Sequence, residues 1–349
     1  MHATVVIVTA DTPDRARTVL AAISPRAYEH PADRAALTAL RKVRGFDQML
    51  RWLSGLFAGR SPRLLALAST VRVSERQFPT VHRLVQDGAR ILDLDDVPEV
   101  FVSCDPRPQA STIGIDKPFL LLTSGLVDLL DEEELRFVIG HELGHVLSGH
   151  AVYRSMLDQL LGLSRRIFFL PMGYLGLRAL VTALEEWYRK SELSCDRAGL
   201  LAGQDPAAAL RAQMKTAGGS RLAEMDVTEF LEQAREYDAQ GDLRNGVLKL
   251  LSLQGQTHPF AVLRAAELRR WIDAGDYQRI LGGDYPRRGA EDEPPIADEA
   301  REAARSYKET MEDSADALMR LVRAVGEEAV SVGQRVADRI RRDDDGPAA

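Results

Sequence analysis

A helical pattern running from Asp131 to Leu147 carries the residues His141-Glu142-Leu143-Gly144-His145 at its centre. Its start is marked by Asp131 followed three residues later by Glu134, which is the arrangement of a capping box. Because residues four apart on a helix differ by about 40° around its axis, both imidazoles project to one side and can bind one metal ion. Glu142 lies at the edge of that side, where it can take a proton from metal-bound water. The alternative is a pair of ordinary core histidines, but burying three such polar side chains in an apolar helix is costly.

A catalytic zinc ion needs three protein ligands and one open position. One extended form of the motif supplies the third ligand from the same helix and requires Gly at position 148 and His at position 151. This chain has Ser148 and Ala151 there, so the third ligand must come from another element. By the same helical spacing, His150 lies on the opposite side of the helix from His141, and we expect it at the helix end or on the surface.

Glu192 is our candidate for the third ligand. The pattern from about 178 to 202 predicts a helix in which Glu192 lies within an apolar stripe formed by Val181, Leu184, Tyr188, Cys195 and Gly199. A carboxylate on a core-facing stripe needs a partner such as a metal. Asp196 follows one turn later and is placed to hydrogen-bond a ligand imidazole. Taken alone, Glu192 would be an ordinary salt-bridged glutamate, but the nearby His-Glu motif favours the metal.

The remaining patterns predict an α+β fold that is predominantly α-helical. Apolar residues at three- and four-residue spacing predict helices within about 31–97, 205–218 and 227–254. Three short β-rich segments, 99–104, 111–115 and 119–124, predict a small, mostly antiparallel sheet. We expect an N-terminal segment (1–30), one domain (31–285) with an apolar helical insertion (152–184), a linker (286–296) and a charged helical tail with a disordered end (297–349).

Charge and cysteine content narrow the class of partner. The formal net charge is −7, with acidic and basic residues interspersed, which argues against a nucleic-acid partner. The two cysteines, Cys104 and Cys195, cannot form a disulfide framework. The first residues lack the basic region and the long apolar run of a secretory signal, so we expect a cytoplasmic protein.

At this point the sequence resembles a known family. His141-Glu-Leu-Gly-His145, followed by Glu192-Leu-Ser-Cys-Asp196, is similar to the HtpX-like zinc metallopeptidases, gluzincins related to the CaaX prenyl proteases. Further family-like segments lie within roughly Pro31 to Tyr285: Gln77-Phe78-Pro79, Pro98-Glu99-Val100-Phe101-Val102, Thr123-Ser124-Gly125-Leu126, Asp131-Glu-Glu-Glu-Leu135, and His258-Pro259 with Arg264 downstream.

The resemblance implies a zincin-like domain with one zinc ion per chain and hydrolysis of peptide bonds in extended or misfolded proteins. It implies that Glu192 is the third ligand, that Asp196 supports a ligand imidazole, and that His258 stabilises the tetrahedral intermediate. The alternative for His258 is a surface loop histidine before a proline. The alternatives for the whole protein are a peptide-binding or chaperone-like module with a structural metal, and a membrane-associated quality-control protease like HtpX itself. Retention of Glu142 argues against a structural site, which needs no base.

The chain also departs from the family pattern. The segment Gln109-Ala110-Ser111-Thr112 stands where the family often has an Asn-Ala-Phe-Ala-like strand, which leaves side-chain specificity open. We still expect Ser111 to Gly114 to form a sheet edge open to the cleft, where an extended peptide can add as a strand. Cys195 replaces a small residue, and a small buried hydrophobe is its simplest interpretation, with a redox-sensitive thiol as the alternative.

The most apolar stretch, Ile167 to Leu184, is about the minimum length for a membrane-spanning helix. Pro171, Gly173, Gly176 and Arg178 interrupt it. A single span would also separate the motif helix from Glu192 by the bilayer, although both must reach one metal. We therefore predict a soluble helical hairpin packed over the domain from about Leu157 to Leu184. Its role is plain core packing, with peripheral contact to a membrane or action as a lid as the alternatives.

Overall fold

The computed structural model describes residues 16–41, 62–114, 117–151, 154–155, 157, 173–239 and 260–289. Within these residues the protein is mostly helical, with one small sheet beside the helix that carries the His-Glu motif. The predicted α+β class is therefore confirmed.

The helices of the described residues follow the periodic patterns of the sequence. They are α1 (Pro31–Arg41), α2 (Pro62–Ser69), α3 (Pro79–Ile91), α4 (Ser124–Leu129), α5 (Glu132–Leu147), α6 (Gly173–Gly203), α7 (Pro206–Gly218), α8 (Val227–Ala239), α9 (Ala261–Asp273) and α10 (Asp276–Leu281). Short 3-10 helices cover Pro25–Ala27 and Leu222–Glu224, and residues 150–151, 154–155 and 157 are also helical.

One helix boundary differs from the prediction. The helix expected over about 178–202 begins at Gly173, so neither Gly173 nor Gly176 interrupts it. A glycine inside a helix costs only about 1 kcal/mol, which contacts elsewhere along a long helix can outweigh. The helix expected over 227–254 is described as far as Ala239.

The sheet is mixed, with the strand order β1-β2-β4-β3. The strands are β1 (Val71–Arg72), β2 (Val100–Ser103), β3 (Ala110–Ile113) and β4 (Phe119–Thr123). The β1–β2 and β3–β4 pairs are antiparallel, as predicted for most of the sheet, and the β2–β4 pair is parallel. The β1 strand was not predicted. Among the described residues, strand β3 pairs only with β4 and forms an edge, as the sequence predicted.

Helix α5 lies at the centre of the core and contacts α3, α6, α7 and β3. Its apolar residues point in nearly all directions, which is typical of a helix surrounded by other elements. Leu20 and Ile23 are also fully buried in this core, and Ile23 forms a β-bridge with Arg287. The packed body thus includes residues on both sides of the predicted 31–285 domain, whose boundaries remain predictions.

None of the helices within the described ranges is long and apolar enough to cross a membrane. The predicted hairpin from Leu157 to Leu184 falls largely on residues 158–172, which lie outside the described residues. The tail over 297–349 also lies outside them.

Candidate metal centre

The start of α5 is fixed by the capping box that the sequence predicted. The Asp131 carboxylate accepts a 2.9 Å hydrogen bond from the Glu134 backbone, and the Glu134 carboxylate accepts one of 2.9 Å from the Asp131 backbone. The fully buried Glu134 also accepts hydrogen bonds from Arg211 (3.1 Å) and Lys215 (2.6 Å) of α7. These contacts join α5 to α7, which supplies another residue to the centre.

Helices α5 and α6 cross at very short range because small residues line the contact. A Cβ atom added at Gly144 would lie 2.6 Å from the Cβ of Ala198, and one added at Gly140 would lie 2.5 Å from the Cβ of Ala202. Such distances leave no room for a side chain at either glycine. The close crossing brings Glu192 of α6 within reach of the motif histidines of α5.

The structure brings His141, His145 and Glu192 together in the core. The two Nε2 atoms are 3.2 Å apart, and the carboxylate oxygens of Glu192 lie 3.4 Å from Nε2 of His141 and 3.2 Å from Nε2 of His145. Two ligands on one tetrahedral zinc ion at about 2.0–2.1 Å are separated by roughly 3.3 Å. The three side chains are buried, and two imidazoles with one carboxylate form a donor set that suits zinc. The residues therefore fit a divalent metal ion.

Asp196 lies behind His141, as its one-turn spacing from Glu192 predicted. The Oδ1 atom of Asp196 is 3.0 Å from Nδ1 of His141 and accepts a 3.2 Å hydrogen bond from Gln213 of α7. Its Oδ2 atom accepts a 2.7 Å hydrogen bond from Arg264 of α9. Burial alone would raise the pKa of the Asp196 carboxyl, but Arg264 and His141 outweigh it and hold the pKa below its ordinary value. Asp196 is therefore ionised and can orient the His141 ring. No pattern in the sequence predicted the contact of Gln213 with Asp196.

Glu142 lies beside the histidines and contacts the edge strand β3. The hydroxyl of Thr112 donates a 2.7 Å hydrogen bond to Oε2 of Glu142, and both side chains are buried. Thr112 was not among the predicted site residues. No local spacing indicates it, because the contact joins a strand to a helix.

His150 lies just past the end of α5, which is one of its two expected positions, but it is buried against His145 and not at the surface or on the far side of the helix. Its side chain is 2% exposed, and its Nδ1 atom lies 3.3 Å from Nδ1 of His145. The helical spacing did not apply because α5 ends at Leu147 and Gly149 adopts a left-handed conformation (φ 68°). The chain thereby changes direction and returns His150 beneath His145. Burial lowers the pKa of the His150 ring to about 3, so the ring is neutral.

Cys195 is fully buried, and its Sγ atom lies 3.5 Å from Nδ1 of His150. Burial raises the pKa of its thiol well above the ordinary value, and the negative charge of Glu192 raises it further. A buried thiol of high pKa fits the predicted role of a small packing residue.

A cleft of about 450 Å³ opens onto His141 and Glu142. Its walls come from the segment before and at the start of β3, from α5, from α7 and from α9, and they include Gln109, Gln213 and Arg264. His258 lies outside the described residues, but Phe260, the first described residue after it, also lines the cleft. The cleft gives a substrate access to the predicted base.

Comparison with known proteins places these features in a family. The sequence model of peptidase family M48 matches residues 75–272, which is more than half of the chain. The plastoglobule-localized metallopeptidase 48, chloroplastic, of Arabidopsis thaliana is 34% identical over 265 residues, covering 73% of this chain and 74% of that relative. A protease HtpX homolog of Salinibacter ruber is 28% identical over 225 residues, covering 59% of this chain and 79% of the relative.

A further match is shorter. A protease HtpX homolog of Methanothermobacter thermautotrophicus is 33% identical over 101 residues, which is 28% of this chain and 39% of that relative. No solved structure matches the chain significantly.

The fold, the buried histidine and carboxylate cluster and these matches define a metallopeptidase, a hydrolase that acts on protein or peptide substrates. Such an enzyme uses a catalytic metal, which in this class is generally zinc. The chain belongs to peptidase family M48.

Proposed function

We propose that the chain is a zinc-dependent endopeptidase that cleaves extended or misfolded proteins, with one zinc ion held by His141, His145 and Glu192. The observation that carries this proposal is the triangle of buried ligand atoms, 3.2 to 3.4 Å apart, with the Glu142 carboxylate beside it at the cleft. Zinc would polarise the substrate carbonyl and lower the pKa of water.

Each residue around the triangle has a proposed task. Glu142 accepts the proton of the attacking water and delivers it to the leaving amide nitrogen. Thr112 fixes the Glu142 carboxylate through its 2.7 Å hydrogen bond. Asp196 fixes the His141 ring and is itself held by Arg264. His258 is our proposal for stabilising the tetrahedral intermediate, supported by the position of Phe260 at the cleft.

The edge of β3 is the proposed binding surface for an extended substrate. The backbone of Thr123 donates to the carbonyl of Gln109, so Gln109 and Thr123 form a hydrogen-bonded pair. The antiparallel alternation then directs the main-chain groups of Ala110 and Thr112 away from β4, toward the edge. A peptide pairing there would pass beside Glu142. The proposed surface is shorter than the sequence predicted, because the Gly114 backbone already donates a 3.0 Å hydrogen bond to Ser155.

The proposed location is the cytoplasm, and any contact with a membrane is proposed to be peripheral. The relatives' names include a plastoglobule-localized, chloroplastic enzyme as well as HtpX homologues. Fractionation of the native protein tests the proposal. Resistance to high salt and carbonate, with release only by detergent, would contradict it.

The activity itself is tested with purified protein by comparing the wild type with Glu142→Gln. The variant should keep its zinc, because all three ligands remain, and should lose casein hydrolysis by about a hundredfold or more. Metal analysis and casein cleavage are measured on the same preparation. Near-wild-type turnover in the variant would rule out the proposed mechanism.

A further inference from the structure

The two motif histidines have different partners behind them. His141 turns its Nδ1 atom toward a carboxylate, whereas His145 turns its Nδ1 atom toward another imidazole, that of His150, at 3.3 Å. On the far side of His150, Nε2 lies 3.5 Å from Oδ2 of Asp33. All of these side chains are buried. His145 is thus backed by a histidine and a carboxylate that the proposed mechanism does not use.

Side chains of α6 hold this pair in place. Asp33 comes from α1 and accepts a 2.6 Å hydrogen bond from the hydroxyl of Ser194 on α6. The ring of Trp187, also on α6, stands edge-on against the His150 ring at a centroid distance of 5.4 Å and an angle of 85°. The left-handed Gly149 lets the chain reach this position. The His150 ring is therefore fixed on several sides.

The pattern of protons follows from these positions. Nε2 of His150 faces the Asp33 carboxylate and Nδ1 of His150 faces His145, so the carboxylate favours the ring proton on Nε2. The Nδ1 atom of His150 is then an acceptor. If His145 binds metal through Nε2, its own proton is on Nδ1. Nδ1 of His145 consequently donates a hydrogen bond to Nδ1 of His150.

We propose that His150, oriented by Asp33, is a positioning residue that holds the His145 ring in the tautomer and orientation required for metal binding through Nε2. This inference rests on the proposed metal role of His145. It gives each motif histidine its own support: Asp196 for His141, and the His150–Asp33 pair for His145. Loss of such a supporting partner typically weakens metal binding by about 10- to 100-fold.

A second metal ion is the competing use of the same atoms. Ligand atoms of His145, His150 and Cys195 lie within 4.8 Å of one another. Such an ion would require a Cys195 thiolate, which burial disfavours, and would require His145 to bind metal through both nitrogens. The hydrogen-bonded arrangement needs neither, so we make the second ion an outcome of the test.

The test compares zinc affinity and zinc release rate in full-length variants, using competition with a chelator. His150→Leu removes the acceptor and should weaken zinc binding by about 10- to 100-fold, with faster release. His150→Gln offers an amide oxygen as acceptor and should retain most of the affinity. Tyr28→Phe is the matched control, because it removes a 3.0 Å hydrogen bond between the buried Tyr28 side chain and Ser148 at the same helix end. It should leave zinc affinity unchanged.

The visible spectrum of the cobalt-substituted protein gives a second readout, independent of proteolysis. It should change in His150→Leu and remain nearly unchanged in His150→Gln and Tyr28→Phe. If His150→Leu does not fold, Asp33→Asn carries the test and should weaken zinc binding in the same direction by a smaller factor.

Three results would overturn the proposal. The first is wild-type zinc affinity in a folded His150→Leu protein, or in Asp33→Asn when that variant carries the test. The second is equal loss in the Leu and Gln variants. The third is two metal ions per chain with a thiolate-to-cobalt absorption band that Cys195→Ala abolishes. In each case the wild type still binds its catalytic zinc. Failure of the proposed function would instead appear as absence of zinc from the wild type, or as full activity of Glu142→Gln.

Discussion

The hydroxyl of Thr112 donates a 2.7 Å hydrogen bond to the Glu142 carboxylate, although the two residues are 30 positions apart in the sequence. The bond ties the edge strand β3, where we propose that substrate pairs, to the helix that carries the base. It orients the carboxylate at the point where the cleft reaches the metal centre.

Thr112→Val should therefore reduce kcat about tenfold or more while leaving zinc content unchanged. A hydrogen bond to a charged group contributes roughly 1.5–3 kcal/mol, and only the orientation of the base is lost. Steady-state kinetics and metal analysis are the measurements. Thr112→Ser keeps the hydroxyl and should remain close to the wild type. Equal losses in both variants would indicate a packing effect instead.

Glu192→Ala should lose zinc severely, because it removes one of three proposed ligands. Glu185→Ala is the control, since it removes a carboxylate about two turns earlier on the same helix. Zinc content after dialysis and affinity by chelator competition distinguish the two variants. If Glu192→Ala keeps full zinc occupancy and affinity, the third ligand is elsewhere, and Asp196 becomes the first residue to test.

Zinc binding should depend strongly on pH. Burial lowers the pKa of both motif histidines, but the carboxylates of Glu192 and Asp196 outweigh it at His141 and raise that pKa to about 9, while the pKa of His145 stays below its ordinary value. At neutral pH the metal-free centre thus carries a proton on His141 that zinc must displace.

Zinc affinity should accordingly rise about tenfold per pH unit from about pH 7 and level off near the His141 pKa. Binding at neutral pH should release about one proton, as measured by calorimetry in buffers of different ionisation enthalpy. Absence of proton release would show that His141 is already neutral in the metal-free protein.

Gly144→Ala should destabilise the protein by about 1–3 kcal/mol, because overpacking forces the neighbouring elements apart. The new Cβ would lie 2.6 Å from that of Ala198 and would separate α5 from α6, so zinc affinity should fall as well. Thermal unfolding and zinc affinity are measured together. Gly203→Ala is the control, since its nearest contact would be 3.8 Å away. Adding Ala198→Gly to Gly144→Ala should restore part of both losses.

The elements that local spacing determines were predictable from the sequence. The capping box at Asp131 and Glu134, the strands around β2 to β4 and the helix beginning after Asp205 all depend on neighbours a few residues away. The position of Glu192 beside the motif histidines was also predictable, because a carboxylate on an apolar stripe is costly to bury unless it has a partner there.

Contacts between distant segments were not predictable in this way. His150 was placed on the wrong side because the spacing argument assumed that α5 continues past Gly149. A glycine one residue before a histidine, just after an apolar helix, is the signal that could have indicated the change of direction. Thr112 and Gln213 gave no signal, because each acts through a side chain that reaches another element.

Asp196 accepts hydrogen bonds from Arg264 of α9 and Gln213 of α7, and it also contacts His141 of α5. Arg264 follows His141 by 123 positions. During translation, the motif helix therefore leaves the ribosome long before the arginine that anchors its supporting carboxylate. A nascent chain already contains both motif histidines, but the hydrogen bonds from Arg264 to Asp196 cannot form until α9 has been synthesised and has packed against α6. We expect full peptidase activity to require synthesis at least through α9, because only then can Arg264 hold the Asp196 carboxylate.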